Sequence, residues 1–339
     1  MNPFLDEILG QPHSLRQFAA VYENQKLLLA QVSIPHELVL TGMGASFHAL
    51  SAMSLYFHSL GIWAPAVEAT ELFLYGQALL KSDRDFLYVS QSGSSPEVGP
   101  LLTQRQGQGL FIAVTNFMDS PLAHNARYVL PLLADHETTV ATKTYINTLA
   151  CLWLLARRWT GQLAEKDFAT LKRLADEIQT ILDRSEEITG RWLEAFARLR
   201  TLIFTGYGPQ AATSRQAAQT VAEWAKIPVI GTSAGALRHG LIEIVGPDSG
   251  VIVFASPGQS YAMSLALAED LQAYGARVLL VQSGQTRRIG EPETNPFVWD
   301  EFLSTILDVI PSQLYAEALA RHLGLQPGFR YLTKVVSKL

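Results

Sequence analysis

Cysteine is nearly absent from this 339-residue chain. Cys151 stands alone, so no intrachain disulfide can form and a reducing, cytoplasmic setting is expected. Charge is sparse too: charged residues make up 17%, the net charge is -5, and no basic block occurs, which argues against a nucleic-acid partner. Long apolar runs are missing. The longest apolar helical stretch, near residues 149–156, is too short to cross a bilayer, and no membrane partner is expected. The first residues carry Asp6 and Glu7 where a secretory leader has its apolar segment, so no signal peptide is expected. Metal motifs are lacking as well. The eight histidines are scattered, with no His-x-x-x-His or His-Glu-x-x-His pattern. There is neither a Gly-x-x-x-x-Gly-Lys-Ser loop nor a Gly-x-Ser-x-Gly elbow. Gly42-Met43-Gly44 and Gly206-Tyr207-Gly208 fall short of the dinucleotide fingerprint, because Phe47 and Ala211 stand where its third glycine belongs. No cofactor and no metal are expected.

What is present is apolar surface: hydrophobic residues make up 48%, and the length favours two domains. The chain also repeats itself. Leu38-Val39-Leu40-Thr41-Gly42-Met43-Gly44 recurs as Leu202-Ile203-Phe204-Thr205-Gly206-Tyr207-Gly208, an offset of 164 residues. Gly93 and Gly258 close two further matching strand-loops at an offset of 165, and the strands ending at Val114 and Val281 match at 167. Short continuous apolar runs alternate with longer helical patterns. The expected fold is therefore α/β, two domains of the same kind, each a parallel sheet buried on both faces between helices. The expected boundary is near residue 185, giving domains 1–185 and 186–339, the first with N-terminal helices and the second with the C-terminal tail.

The loop most suited to chemistry follows the strand Asp85-Phe86-Leu87-Tyr88-Val89. It reads Ser90-Gln91-Ser92-Gly93-Ser94-Ser95. At the carboxyl end of a strand in an α/β protein, Ser90, Gln91, Ser92 and Ser95 offer donors for a phosphate, and Gly93 lets the backbone come close. The same residues also suit a plain polar turn. Ser46, just beyond Gly44, is a further donor. Glu223 on a helical pattern and His239 in a glycine-flanked turn suit proton transfer on a carbonyl sugar, one moving a proton between carbons and the other opening the ring. Taken alone, Glu223 also reads as a surface helix charge and His239 as a loop residue. The tail Arg330-Tyr331-Leu332-Thr333-Lys334 is apolar enough to be ordered, which would let Lys334 reach an active site.

Together these segments, with Gly44-Ala45-Ser46, the stretch 137–149 around Val140-Ala141-Thr142-Lys143-Thr144, and the 235–240 turn, resemble the sugar isomerase (SIS) domain family. The resemblance is closest to the isomerase half of glucosamine-6-phosphate synthase and its free-standing relatives. It implies two tandem SIS domains, each a three-layer α/β/α sandwich. It implies that residues 90–95 bind a sugar phosphate, with Gly44, Ser46, Ala141 and Thr142 at the sugar. Glu223 would shuttle the proton, His239 would open the ring, and Lys334 would match the C-terminal lysine of the site. It also implies a homodimer, with the histidine turn donated by the neighbouring subunit. Departures from the family pattern, such as Ala236 where the turn usually has Glu, bear on substrate identity. With no glutaminase domain, synthesis of amino sugar from glutamine is not expected. The expected reaction is glucosamine 6-phosphate to fructose 6-phosphate and ammonia. The alternatives are a fructosamine-6-phosphate deglycase and a sugar-phosphate sensor without turnover.

Overall fold

The computed structural model describes residues 2–25, 27–292 and 299–331. They form two compact units. One is Gly10–Ala175; the other is Asp176–Phe329, joined by residues 2–9. This division falls inside the helix Glu165–Asp183, ten residues before the boundary expected from sequence.

In the first unit, β1 (Leu38–Gly42), β2 (Ala66–Glu68), β3 (Asp85–Val89), β4 (Phe111–Thr115) and β5 (Tyr128–Pro131) form one sheet. Its order is β2-β1-β3-β4-β5, and every pairing is parallel. All residues of β1, β3 and β4 are buried, because helices cover both faces. The helices Gly44–Ser59 and Lys143–Trp159 pack on each other, and the second is buried over most of its length.

The second unit repeats the plan with β6 (Thr201–Gly206), β7 (Ile230–Ser233), β8 (Ser249–Phe254), β9 (Arg277–Gln282) and β10 (Gln285–Arg287). The order is β7-β6-β8-β9-β10, the same as in the first unit for its first four positions. The fifth differs, since β10 pairs antiparallel with β9. The turn at Ser283 and Gly284, both at positive φ, folds the chain straight back, whereas a parallel neighbour needs a long crossover. Its principal helices are Gln210–Ala225, Tyr261–Ala273, Glu301–Asp308 and Ile310–His322. Gly44 (φ 52°) and Gly208 (φ 55°) make the same left-handed turn out of the first strand of each unit.

Each sheet thus has a point where the chain order reverses, between β1 and β3 in one unit and between β6 and β8 in the other. Outside the carboxyl ends of those strands the diverging loops leave a crevice, the usual ligand position in open α/β sheets. Among the described residues no helix is long and apolar enough to cross a membrane.

Candidate functional site

The expected binding residues of the first unit lie on three loops, two of which leave the neighbouring strands β1 and β3 at the crevice. Gly44 and Ser46 lie in the first turn of the helix that leaves β1, and that helix has no side-chain cap at its N-terminus. Its first amide groups therefore present partial positive charge to the crevice. Residues 90–95 leave β3 beside it. The two backbones run close: a Cβ on Gly42 would lie 2.8 Å from the Val89 carbonyl oxygen.

The 90–95 loop is held from beneath. The Gln91 carbonyl accepts from the Asn116 amide at 3.0 Å, and the Gly93 carbonyl accepts from the Leu122 amide at 3.0 Å. Gly93 sits at φ +61°, and a Cβ there would fall 2.1 Å from the Ser120 hydroxyl oxygen. Only glycine fits that backbone against that neighbour. The Ser90 hydroxyl accepts from the Gly93 amide at 3.2 Å, and the Ser92 hydroxyl accepts from the Ser94 amide at 3.2 Å. In both bonds the serine oxygen is the acceptor, so its own proton is left to donate. Gln91, Ser92 and Ser95 are half-buried, while Ser90 is buried.

The third loop precedes the helix Lys143–Trp159. Glu137 is its organiser, although sequence reading gave it no role of its own. Its carboxylate accepts from the Thr142 amide at 2.9 Å and hydroxyl at 2.8 Å, and from the Thr144 amide at 3.2 Å and hydroxyl at 2.5 Å. These bonds satisfy donors at the helix N-terminus. Thr142 is thereby fully buried and its hydroxyl is spent, whereas Ala141 stays half-buried at the surface. Leu133 and Asp135, both at positive φ, shape the approach to Glu137.

Glu223 and His239 belong to the other unit. Glu223 is half-buried in the last turn of Gln210–Ala225 and accepts from the Gln219 amide nitrogen at 2.6 Å. His239 is exposed at the C-terminal end of the short helix Ala234–Arg238. Glu223 precedes β7 and His239 follows it, so within one chain they lie towards opposite ends of that strand. The turn of His239 is anchored by Arg238, whose guanidinium pairs with Asp270 at 2.7 Å and donates to the Tyr207 hydroxyl at 3.1 Å. Lys334 lies outside the described residues.

Cys151 is buried in the helix Lys143–Trp159, and burial pushes its thiol up to about 12. A thiol so hard to ionise is a poor nucleophile. Among the described residues no group of three or more His, Cys, Asp or Glu is placed to hold a metal ion.

Comparison with known proteins adds sequence and fold relatives. The family model described as the SIS domain matches residues 33–158 and 195–314. The glutamine–fructose-6-phosphate aminotransferase (isomerizing) of Lactiplantibacillus plantarum is 27% identical over 339 residues, covering 95% of this chain and 55% of the relative. The chain thus spans about half the length of the curated relatives it matches. Among solved structures, the C-terminal domain of glucosamine-fructose-6-phosphate aminotransferase from Francisella tularensis superposes with a TM-score of 0.83. That match has 17% identity and covers 97% of this chain and 98% of the other. The glucosamine-6-phosphate deaminase of Thermotoga maritima gives a TM-score of 0.79 at 23% identity, covering 98% and 99%. At these identities the structures attest the fold.

Proposed function

The chain belongs to the SIS domain family, and from that premise we propose an enzyme of phosphorylated amino sugars that converts glucosamine 6-phosphate and water into fructose 6-phosphate and ammonia. The observation that carries this reading is the first unit's crevice. An uncapped helix N-terminus and a loop of hydroxyl and amide donors meet there at the reversal point of a parallel sheet. This is what a phosphate dianion needs: several donors, partial positive charge and no bulky side chain in the way. By their names, the sequence relative above is an isomerizing aminotransferase of fructose 6-phosphate and one fold neighbour is a glucosamine-6-phosphate deaminase.

In this reading the phosphate docks on residues 90–95, with Ser46 and Ala141 beside the sugar. His239 helps open the ring. Glu223 takes the proton from C2 and returns it to C1 while a proton passes from the amine nitrogen to O1, so the C1 carbonyl becomes a hydroxyl and the C2 amine an imine. Water adds to that imine and ammonia leaves. Glu223 and His239 lie towards opposite ends of β7 in one chain, which supports a homodimer in which the histidine comes from the second copy.

Two experiments test this. The purified protein, given glucosamine 6-phosphate, should release ammonia and fructose 6-phosphate in equal amounts. Release of neither, or conversion of a sugar phosphate without ammonia, would replace the deaminase reading with a binding or plain isomerase one. For the shared site, Glu223→Gln and His239→Ala proteins should each be inactive alone. Mixed and refolded together they should recover about a quarter of wild-type activity, because half the dimers then hold one intact pair. No recovery would place both groups in the same subunit.

A further inference from the structure

The crevice of the second unit, between β6 and β8, lies at the same place in its sheet as the first, yet is already filled. By the repeat offsets, Gln210 corresponds to Ser46, Ser256 to Gln91, Gly258 to Gly93 and Ser260 to Ser95. Three donors of this second loop turn inward onto carboxylates. The Gln259 amide donates to Glu301 Oε2 at 3.1 Å, and the Ser260 hydroxyl donates to Glu301 Oε1. The Ser256 hydroxyl donates to Asp308 Oδ2, the Gln210 amide nitrogen reaches the same oxygen at 2.7 Å, and the Gly284 amide donates to Oδ1 at 2.7 Å.

Both acceptors come from the helix Glu301–Asp308. They stand seven residues apart, two turns along, and so share a face. The Glu301 carboxylate presses against the loop backbone. Its Oε2 lies 2.4 Å from where a Gly258 Cβ would stand, and Glu301 is only 7% exposed. Residues 258–260 lead directly into the helix Tyr261–Ala273, whose N-terminal residue Ser260 gives it no side-chain cap. Fully buried Gln210 also keeps its Oε1 without a hydrogen-bond partner in this crevice. In the first unit, by contrast, Glu137 turns onto Thr142 and Thr144.

We propose that the second unit retains an oxyanion-binding loop at residues 256–260 whose occupant is the chain's own Glu301 carboxylate, and that inorganic phosphate takes this place once Glu301 is removed. The chemistry is that of an anion held by amide and hydroxyl donors at a helix N-terminus, with a tethered carboxylate standing where a phosphate oxygen would. The tether gives Glu301 a high effective concentration, so free phosphate does not compete in the wild type.

The test is calorimetric titration of inorganic phosphate into the full chain, wild type against Glu301→Ser, followed by a crystal structure of the variant in phosphate. The variant should bind one more phosphate per chain than the wild type, with density on Gln259 and Ser260. Glu301→Gln, which keeps the shape and an acceptor oxygen, should gain none. Equal stoichiometry in a folded Glu301→Ser protein overturns the proposal, as does phosphate on residues 256–260 of the wild type. Should Glu301→Ser be unfolded, phosphate must restore folding better than chloride at equal ionic strength; failure to do so also overturns it. The readout is a difference between two proteins. A wild type that binds no phosphate at residues 90–95 would therefore sink the functional reading above and leave this one standing.

Discussion

The two units share a strand order and a left-handed glycine after the first strand, yet they treat the same crevice in opposite ways. In the first, the Ser90 and Ser92 hydroxyls accept backbone hydrogen bonds, which leaves their own protons to donate. In the second, Ser256 and Ser260 donate to Asp308 and Glu301. A duplicated fold supplies two loops at equivalent places, each following the third strand of its unit. In the proposals above, what separates a site from a piece of core is where a nearby carboxylate turns. Glu137 caps its own helix and leaves the crevice alone, whereas Glu301 reaches across 41 residues of chain and fills it.

The proposed function puts phosphate binding in the first unit and the proton-moving Glu223 in the second. The largest expected effect tests that division. Glu223→Gln should lower kcat by about 1,000-fold, within the range of a lost general base, and leave sugar-phosphate binding within a few-fold. Equal loss of both, measured by initial rates and calorimetry, would make Glu223 a structural residue.

The paired glycines come next. Gly93→Ala puts a methyl group against Ser120 at positive φ, and should weaken phosphorylated substrates by about 10- to 100-fold as one or two charged hydrogen bonds are lost. Gly258→Ala pushes on the buried Glu301 side chain. It should cost about 1–3 kcal/mol of stability as overpacking and leave KM unchanged. The reverse pattern, with KM moved by Gly258→Ala and not by Gly93→Ala, would exchange the roles of the two crevices.

The smallest effect concerns pH. Burial pushes Asp308 up to about 7, opposed by its hydrogen bonds from Ser256, Gly284 and Gln210, all neutral partners. A carboxyl raised in the folded state holds a proton that the unfolded chain has released. Its contribution is complete below the unfolded value of 3.8 and falls as pH rises to about 7, by about 1.4 kcal/mol per pH unit between them. Asp308→Asn removes this slope. Denaturant melts of both proteins from pH 5 to 8 should show the wild type losing stability relative to the variant as pH rises. Parallel curves would mean that Asp308 is ionised throughout.

Much of the fold was legible because strands buried on both faces must be continuous apolar runs. Residues 38–42 and 85–89 could hardly be anything else. The Ser-rich loop was legible because small hydroxyl residues around one glycine have few other uses after such a strand. Strand β10 was not: Gln285, Thr286 and Arg287 carry no apolar signal, and their pairing depends on the turn at Ser283-Gly284. Glu301 and Asp308 were hidden for a different reason. On a short helix they look like solvated charge, and their partners Ser260 and Ser256 lie 41 and 52 residues away. Only the folded chain shows that the repeat, so clear in its strands, ends at its carboxylates.

The most direct test is a crystal structure of the full chain with glucosamine 6-phosphate. The two-crevice account predicts one phosphate group per chain, bound to residues 90–95 beside Ser46, with Glu301 still on Gln259 and Ser260. A phosphate on residues 256–260 with the Glu301 carboxylate displaced, and none at residues 90–95, would contradict it.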